Sequence, residues 1–482
     1  MTELKDRLTP SLFEPQSRGG DIAEAGFSFQ ESILLIKVPS WLAQEGFTAL
    51  IREAIGDTEA QFFHPRQGIR KELLEVKNHL VDFKEFWKEI KRFYAIQEGS
   101  PETYSHFSLV TTGVSEKIKP LLNGLKRLRD PENFYNDSPT IWNNSYKDYL
   151  EIIKRLGQDE KVAQFIFEKI SIETDWSPAK IYGESLFIQS LVECFTEYEL
   201  IPNRTLKNIF EGLSLLVRNR RNQPIKRKEI ETIFKEELDS ELIPSAKDIK
   251  FLTKAYTSSI PQTKALQFEW APFFGGESRS YPPSEQWQNL LMKDLHRTQN
   301  WMLEHRSTRC IRLQGRRRLS ASIAIGSIFS AVAGFSIEVE YRGEIWATNA
   351  HPTPEMQNYP IQAQSVDGES HQMVVTISIL RNISSYVDAT RSELGLTNMP
   401  TLHIQGSQAI TSAEQANLIA RNLKDLISSN ISAYKIQVIH LFLATPAPLA
   451  LFLGHRLNAT AVVQCYEWIG ANRYIPTCRI AT

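Results

Sequence analysis

Apolar residues follow two different periods along the first hundred or so positions. In "GFSFQESILLIKV" they repeat at helical spacing, placing Phe27, Gln30 and Leu34 on one face with Ile33 beside them, so that a polar Gln30 points toward the body of the domain. "FTALIREAI" reads as a strand and Gly56-Asp57 as the turn after it. "TEAQFFH", closed by "PRQG", reads as a second strand, "RKELLEVKNH" as a third, and "HFSLVTTG" as a later one beyond the helix "FWKEIKRF". From Gly26 to Gly113 the predicted order is therefore helix, three strands, helix, strand.

The third strand competes with a helix. Leu73, Val76, Leu80, Phe83, Trp87, Ile90 and Tyr94 also fall at helical spacing. Asn78-His79 makes a poor helix interior, and Asp82 with Glu85 three residues later forms a capping-box pattern that starts the helix at Asp82. The strand that remains has period two, so Leu74 and Val76 share one face while Leu73, Glu75, Lys77 and His79 share the other. Glu-x-Lys is a cheap triplet, recurring at Glu3-Leu4-Lys5 and Glu89-Ile90-Lys91. Taken alone, Glu75 and Lys77 are as well read as charges on a wet strand face.

Residues 115–244 show helical periods without strand alternation, as in "SYKDYLEIIKRL" and "TLKNIFEGLSLLV". The cluster Arg218, Arg220, Arg221, Lys226, Arg227 and Lys228 suits a grip on DNA phosphates, and equally a solvated loop, since Glu229 and Glu231 follow.

From about Ser245 strands and helices alternate. "RCIRLQG", "LSASIAIGSIFSAVAGF" and "SIEVEYRGEIWAT" read as strand, helix and hairpin, and the order recurs in "KIQVIHLFLAT", "PAPLALFLGHRL" and "AVVQCYEWIGANRYIPT". The two helices superpose at an offset of 128 residues. Alternation of this kind predicts mainly parallel sheets, whose ligands bind where strand ends meet helix N-termini. The matching junctions are Arg318-Leu319-Ser320-Ala321 and Thr445-Pro446-Ala447-Pro448, with Ser320 an N-cap whose neighbouring N–H groups are open to a phosphate. Arg318, Ser320, Thr445 and Pro446 are the predicted ligand contacts, with Trp346, Tyr466 and Tyr474 as stacking partners for bases. There is no Gly-rich phosphate loop or Walker-type lysine.

Composition narrows the class. With 482 residues, 42% hydrophobic and 23% charged, the chain is an ordinary globular protein of more than one domain. A net charge of −1 gives no global case for a polyanion partner, so any contact with nucleic acid must be local. Cys194, Cys310, Cys465 and Cys478 have neither zinc spacing nor the density of a disulfide scaffold, which fits a reducing cytoplasm. The first twenty residues lack a signal-peptide pattern and "ASIAIGSIFSAVAGF" is too short and serine-rich to span a bilayer, so no membrane partner is expected.

Two resemblances join these observations. Helix, three strands, helix and strand, with Asp57 opening the second strand and Glu75-Val76-Lys77 eighteen residues on, resembles the core of the PD-(D/E)xK nucleases; Gln30 matches a polar position near the active site of restriction-like members. Gly56 stands where the family name has Pro. "RRRLSASIAIGSIF", "VEYRGEIWAT" and "IHLFLATPAPLALFLGHRLN" with "CYEW" resemble the SAVED domain, a fusion of two CARF-like Rossmann units.

The implied fold is α/β and multidomain: a restriction-endonuclease-like domain over 1–114, a helical connecting region over 115–244 and a SAVED sensor over 245–482. The pair resembles the endonuclease effectors of bacterial CBASS antiphage defence. That implies cytoplasmic cleavage of double-stranded DNA with little sequence choice, triggered by a cyclic oligonucleotide such as a cyclic trinucleotide that assembles a homo-oligomer. Asp57 and Glu75 would hold Mg²⁺ or Mn²⁺, Lys77 would serve the attacking water and Gln30 would support them. Glu53 and Glu59 rank below them, as surface charges. A nucleotide-binding signalling scaffold without nuclease activity is the alternative. The bases and linkages of the ligand stay open.

Overall fold

Asp82 settles the competition between strand and helix. In the computed structural model its side chain accepts a 2.8 Å hydrogen bond from the Glu85 N–H, fixing the start of a helix at Phe83 and leaving Gly68–Val81 as one long strand. The structure describes residues 19–129, 139–177, 181–244, 248–255, 264–353, 359–458, 461–471 and 473–481. The amino-terminal stretch read for a targeting signal lies outside them. The chain divides into two compact units, Met1–Phe63 with Ile69–Pro244, and His64–Gly68 with Ser245–Thr482.

The first unit contains β1 (Phe47–Arg52), β2 (Thr58–His64), β3 (Gly68–Val81), β4 (Tyr104–Val114), β5 (Ile170–Glu173) and β6 (Pro224–Lys226), in the order β5-β4-β3-β2-β1-β6. β1 pairs antiparallel with β2, whereas β3, β4 and β5 run parallel. Its helices are α1 (Gly19–Leu42), α2 (Phe83–Gly99), α3 (Lys119–Arg129), α4 (Pro139–Arg155), α5 (Glu160–Lys169), α6 (Ile181–Cys194), α7 (Asn203–Asn219) and α8 (Arg227–Glu237). The order from α1 to β4 is the one the pattern predicts.

The pleat sorts β3 between two cores. Leu74 and Val76 pack with Phe29, Ile33 and Leu34 of α1, while Leu73 and Val81 pack with Phe86, Ile90 and Phe93 of α2. Glu75 shares the Leu73 face and is only 8% exposed, so it does not sit on a wet edge.

The region 115–244 is not wholly helical. It supplies β5 and β6 as edge strands to this sheet, and at four and three residues they are too short to show alternation. Four members of its basic cluster are ion-paired: Arg218 with Glu31, Arg220 with Glu229, Arg221 with Glu53, and a buried Arg227 with Glu231. These pairs remove much of the free positive charge a phosphate grip would need.

The second unit holds two sheets. One, ordered β11-β10-β9-β7-β8, comprises β7 (Ile249–Lys254), β8 (Leu266–Glu269), β9 (Cys310–Gly315), β10 (Ser336–Tyr341) and β11 (Glu344–Ala347). The other, ordered β12-β14-β13-β15-β16-β17, comprises β12 (Ile361–Val366), β13 (Gln372–Ile379), β14 (Thr401–Gly406), β15 (Val438–Ala444), β16 (Val462–Gly470) and β17 (Arg473–Ile480). The central pairs are parallel and the edge hairpins antiparallel. The hairpin joining β10 to β11 turns at Arg342-Gly343 with both φ values positive, the twist that suits a two-residue turn.

Around these sheets lie α9 (Ala271–Phe274), α10 (Ser284–Gln286), α11 (Lys293–His305), α12 (Leu319–Ile328), α13 (Ser384–Leu394), α14 (Ala413–Tyr434) and α15 (Ala447–Arg456). The repeat helices α12 and α15 are packed backbone to backbone. A Cβ on Gly326 would lie 2.1 Å from the Leu451 carbonyl oxygen, and one on Gly454 would lie 2.3 Å from that of Ile323. Two glycines at the same repeat position thus allow a crossing that larger residues would block. Among the described residues, no helix is long and apolar enough to cross a membrane.

Candidate active site and ligand cavity

Asp57 ends the turn between β1 and β2, a turn closed by the Glu53 N–H donating to the Asp57 carbonyl at 2.7 Å. Gly56 matters here: a Cβ would lie 2.8 Å from Leu73 Cδ2, so only a bare backbone lies this close to β3. Asp57 Oδ2 then accepts the Val76 N–H at 2.7 Å and Oδ1 accepts Gln30 Nε2 at 2.9 Å. Lys77 Nζ donates to Glu75 Oε1 at 2.9 Å. The fold therefore brings together all four residues singled out in this block, Gln30, Asp57, Glu75 and Lys77. Burial and the charge of Glu75 push the Asp57 carboxyl up to about 6, while Glu75 and Glu89 raise Lys77 against the opposing effect of burial.

The spare carboxylates lie elsewhere. Glu53, at a left-handed φ of 55° just past β1, pairs with Arg52 and Arg221. Glu59 is not a surface charge. It is 1% exposed and receives Lys71 Nζ at 2.8 Å and the Tyr104 hydroxyl at 3.1 Å. Sequence reasoning missed Glu89 and Arg92 of α2, which meet the Glu75–Lys77 pair. Their helical phase was visible, but not that this turn faces β3.

In the second unit a cavity of about 390 Å³ opens where α12 and α15 begin, lined by Arg279, Tyr281, Arg317, Arg318, Leu319, Arg381, Tyr386, Thr445, Glu467, Trp468 and Tyr474 among others. A second, of about 320 Å³, shares Leu319, Arg381, Ala444 and Thr445 with it and adds Pro446. Four arginines face one carboxylate, so the lining favours an anion. Burial lowers Arg317 to about 10. Thr445 Oγ1, Arg317 Nε and Trp468 Nε1 are buried without a hydrogen-bond partner. Such orphaned groups are costly in a finished protein core and suit a site awaiting a polar ligand.

The predicted contacts are divided by the fold. Arg318, Thr445, Pro446 and Tyr474 line these cavities. Arg318 is held by the Phe274 and Gly276 carbonyls, at 2.6 and 2.9 Å. Ser320 is not the N-cap of α12; Arg318 is, and Ser320 is 1% exposed. Its N–H donates to Glu467 Oε1 at 2.6 Å, so a buried carboxylate occupies the helix start expected to be open to a phosphate. Burial raises the Glu467 carboxyl.

Trp346 is 3% exposed and packs edge-on against Tyr341, and it is not part of the cavity lining. Tyr466 stacks on Phe442 at 4.2 Å and bonds His440 Nδ1 at 2.8 Å, again in the core. Trp468, two residues further along the same strand, is the cavity aromatic, with Arg279 3.7 Å and Arg381 5.3 Å from its ring centre. The strand register accounts for this: ligands collect at the carboxyl ends of parallel strands, and the pairing of Leu441 with Cys465 brings Trp468 level with Ala444 at the end of β15.

A sensor domain with paired Rossmann-like halves and a cationic cavity at their helix starts is the class this geometry defines, and residues 294–480 match the SAVED family model, the "SMODS-associated and fused to various effectors sensor domain". Over those residues the chain is similar to SAVED domains, and along its length it is similar to CD-NTase-associated protein 4. It is 29% identical to that protein of an Acinetobacter species over 474 residues, covering 98% of this chain and 100% of the relative. The counterpart from Moraxella osloensis is 27% identical with the same coverage. The solved structure of the Acinetobacter baumannii Cap4 SAVED/CARF-domain containing receptor with the cyclic trinucleotide 2′3′3′-cAAA is similar at a TM-score of 0.82 and 26% identity, over 94% of this chain and 98% of that one.

Proposed function

We propose that this chain is a metal-dependent endonuclease of double-stranded DNA, switched on by a cyclic trinucleotide and acting with little sequence choice in bacterial CBASS antiphage defence. The observation that carries the reading is the convergence of Gln30, Asp57, Glu75 and Lys77 from three separate elements on one point.

The donor set suits magnesium or manganese. Among the described residues no group of three or more His, Cys, Asp and Glu side chains forms a metal cage. The protein would supply two carboxylates, Asp57 and Glu75, and leave other positions to water and phosphate, as magnesium prefers; burial, and then the charge of Glu75, already raise Asp57. When bound, the metal supplies a more acidic water and charge neutralisation at the phosphate. Lys77, anchored on Glu75, would turn its remaining ammonium N–H toward the attacking oxygen and the phosphate, where negative charge grows. Gln30 and the Val76 N–H fix both oxygens of Asp57, so the carboxylate is oriented before substrate arrives.

In the sensor, Arg279, Arg317, Arg318 and Arg381 would neutralise the phosphates, and Trp468 and Tyr474 would stack on bases. The Cap4 receptor structure with a cyclic trinucleotide supports this ligand class. Ligand-driven assembly of copies would pair nuclease units for cutting both strands.

The test is a panel of cyclic di- and trinucleotides, each scored for binding and for Mg²⁺-dependent plasmid degradation. Cleavage confined to one bound ligand is expected. Binding without cleavage throughout would replace the nuclease by a signalling scaffold, and cleavage without ligand would remove the switch.

A further inference from the structure

Helix α2 brings a second acid and a second base to the Glu75–Lys77 pair, and the mechanism above does not use them. Glu89 is buried at 6% exposure, and Arg92 follows one turn later. Arg92 Nε donates to Glu89 Oε2 at 2.8 Å, Nη2 donates to Glu75 Oε2 at 2.5 Å and Nη1 donates to the Ile55 carbonyl at 3.2 Å. Lys77 Nζ completes the circuit, 2.9 Å from Glu75 Oε1 and 3.3 Å from Glu89 Oε1. Two acids and two bases alternate in a closed ring, each base touching both acids.

This ring has a consequence for Glu75. Each of its oxygens faces a cation, one from its own strand and one from α2. A guanidinium and a divalent cation repel one another and compete for the lone pairs of Oε2, so each weakens the other's hold on it. Glu89 meanwhile keeps Arg92 and Lys77 in place whatever happens at Glu75.

We propose that Arg92 is the resting counterion of Glu75: it holds the carboxylate in the metal-free protein, competes with the entering divalent cation, and stays tethered beside the site through Glu89. The proposal rests on the reading of Asp57 and Glu75 as metal ligands. Arg92 is thereby a built-in brake on metal loading, and Glu89 is the positioning residue for both bases. A purely structural Arg92 would predict the opposite sign, since losing it would loosen Glu75 and weaken metal binding.

The experiment is Mn²⁺ affinity, by calorimetry and by the electron paramagnetic resonance of free Mn²⁺, on the full chain without DNA. Wild type, Arg92→Gln, Arg92→Lys, Asp57→Asn and the Arg92→Gln/Asp57→Asn double variant are compared after circular dichroism establishes their folding. Arg92→Gln is expected to bind Mn²⁺ about tenfold more tightly, the worth of one charge-assisted hydrogen bond that loading must otherwise break. Arg92→Lys, which keeps the charge, is expected to stay within about twofold of wild type. Should Arg92→Gln bind equally or more weakly while Asp57→Asn still weakens binding, the metal site stands and the counterion proposal falls. Should Asp57→Asn change affinity in neither background, the metal-site reading falls and takes the proposal with it. The conservative Arg92→Lys guards against the case where Gln unfolds α2, since a loss of affinity there too would also overturn the proposal.

Discussion

Asp57 Oδ2 accepts the N–H of Val76 at 2.7 Å, so the carboxylate is pinned to the backbone between Glu75 and Lys77. The bond joins the turn before β2 to the middle of β3 and makes the candidate site a product of strand register. Lys77→Ala removes a side chain that is 21% exposed but ion-paired with the buried Glu75 and Glu89, both of which keep Arg92, so a cost of about 1–3 kcal/mol is expected. Plasmid degradation at saturating ligand, measured where the variant is still folded, is expected to fall by roughly 10²-fold or more, while cyclic-nucleotide affinity holds. Retained cleavage removes Lys77 from the mechanism.

Residues of the cavity lining and residues of the core call for opposite outcomes. Arg381→Ala is expected to weaken cyclic-trinucleotide binding by about tenfold to a hundredfold in calorimetry, with the melting temperature unchanged, because the side chain lines both cavities. Trp346→Ala is expected to do the reverse. It deletes a buried ring packed on Tyr341, costing about 3–5 kcal/mol of stability while leaving the affinity of the folded fraction intact.

The crossing of α12 and α15 has no space for a methyl group. Gly326→Ala places Cβ 2.1 Å from the Leu451 carbonyl oxygen, and an expected loss of about 2–3 kcal/mol follows from forcing the helices apart. Gly99→Ala is the control, because its added Cβ meets nothing within 4 Å. Thermal unfolding of the two variants distinguishes a close-packed crossing from a loose one.

Acid is expected to weaken the second unit through its buried histidines. Burial lowers both His455 and His440 to about 4, from an ordinary value of 6.5. Below 6.5 the unfolded chain takes up protons that the folded one refuses, so this stability is complete above 6.5 and is lost as the pH falls from 6.5 through 4. His455, 3% exposed and bonded to the Phe329 carbonyl, contributes a change of about 2 kcal/mol between pH 7 and pH 5. Glu467 acts with the opposite sign, because its raised carboxyl favours the folded state as pH falls. His455→Asn is accordingly expected to flatten the acid side of the melting-temperature profile, and an unchanged slope rejects the assignment.

Local pattern alone determined the order of elements from α1 to β4, the strand at Glu75, the parallel sheets and the helix repeat at an offset of 128. These depend on period, capping and turn chemistry, and each is written in a window of a few residues, as Asp82 and Glu85 show. The ligand-contact residues were only half legible. Tyr466 and Trp468 alternate identically along β16, yet one stacks on Phe442 and the other meets Arg279 and Arg381. Ser320 has the sequence of a cap but lies beneath the Glu467 carboxylate, which comes from 147 residues away. The ring of Glu75, Lys77, Glu89 and Arg92 was likewise hidden, because a strand and a helix had to meet before their charges could pair. Sequence fixes which face a side chain takes within its own element, through the periods of strand and helix; what that face meets depends on long-range packing, and only the tertiary structure decides it.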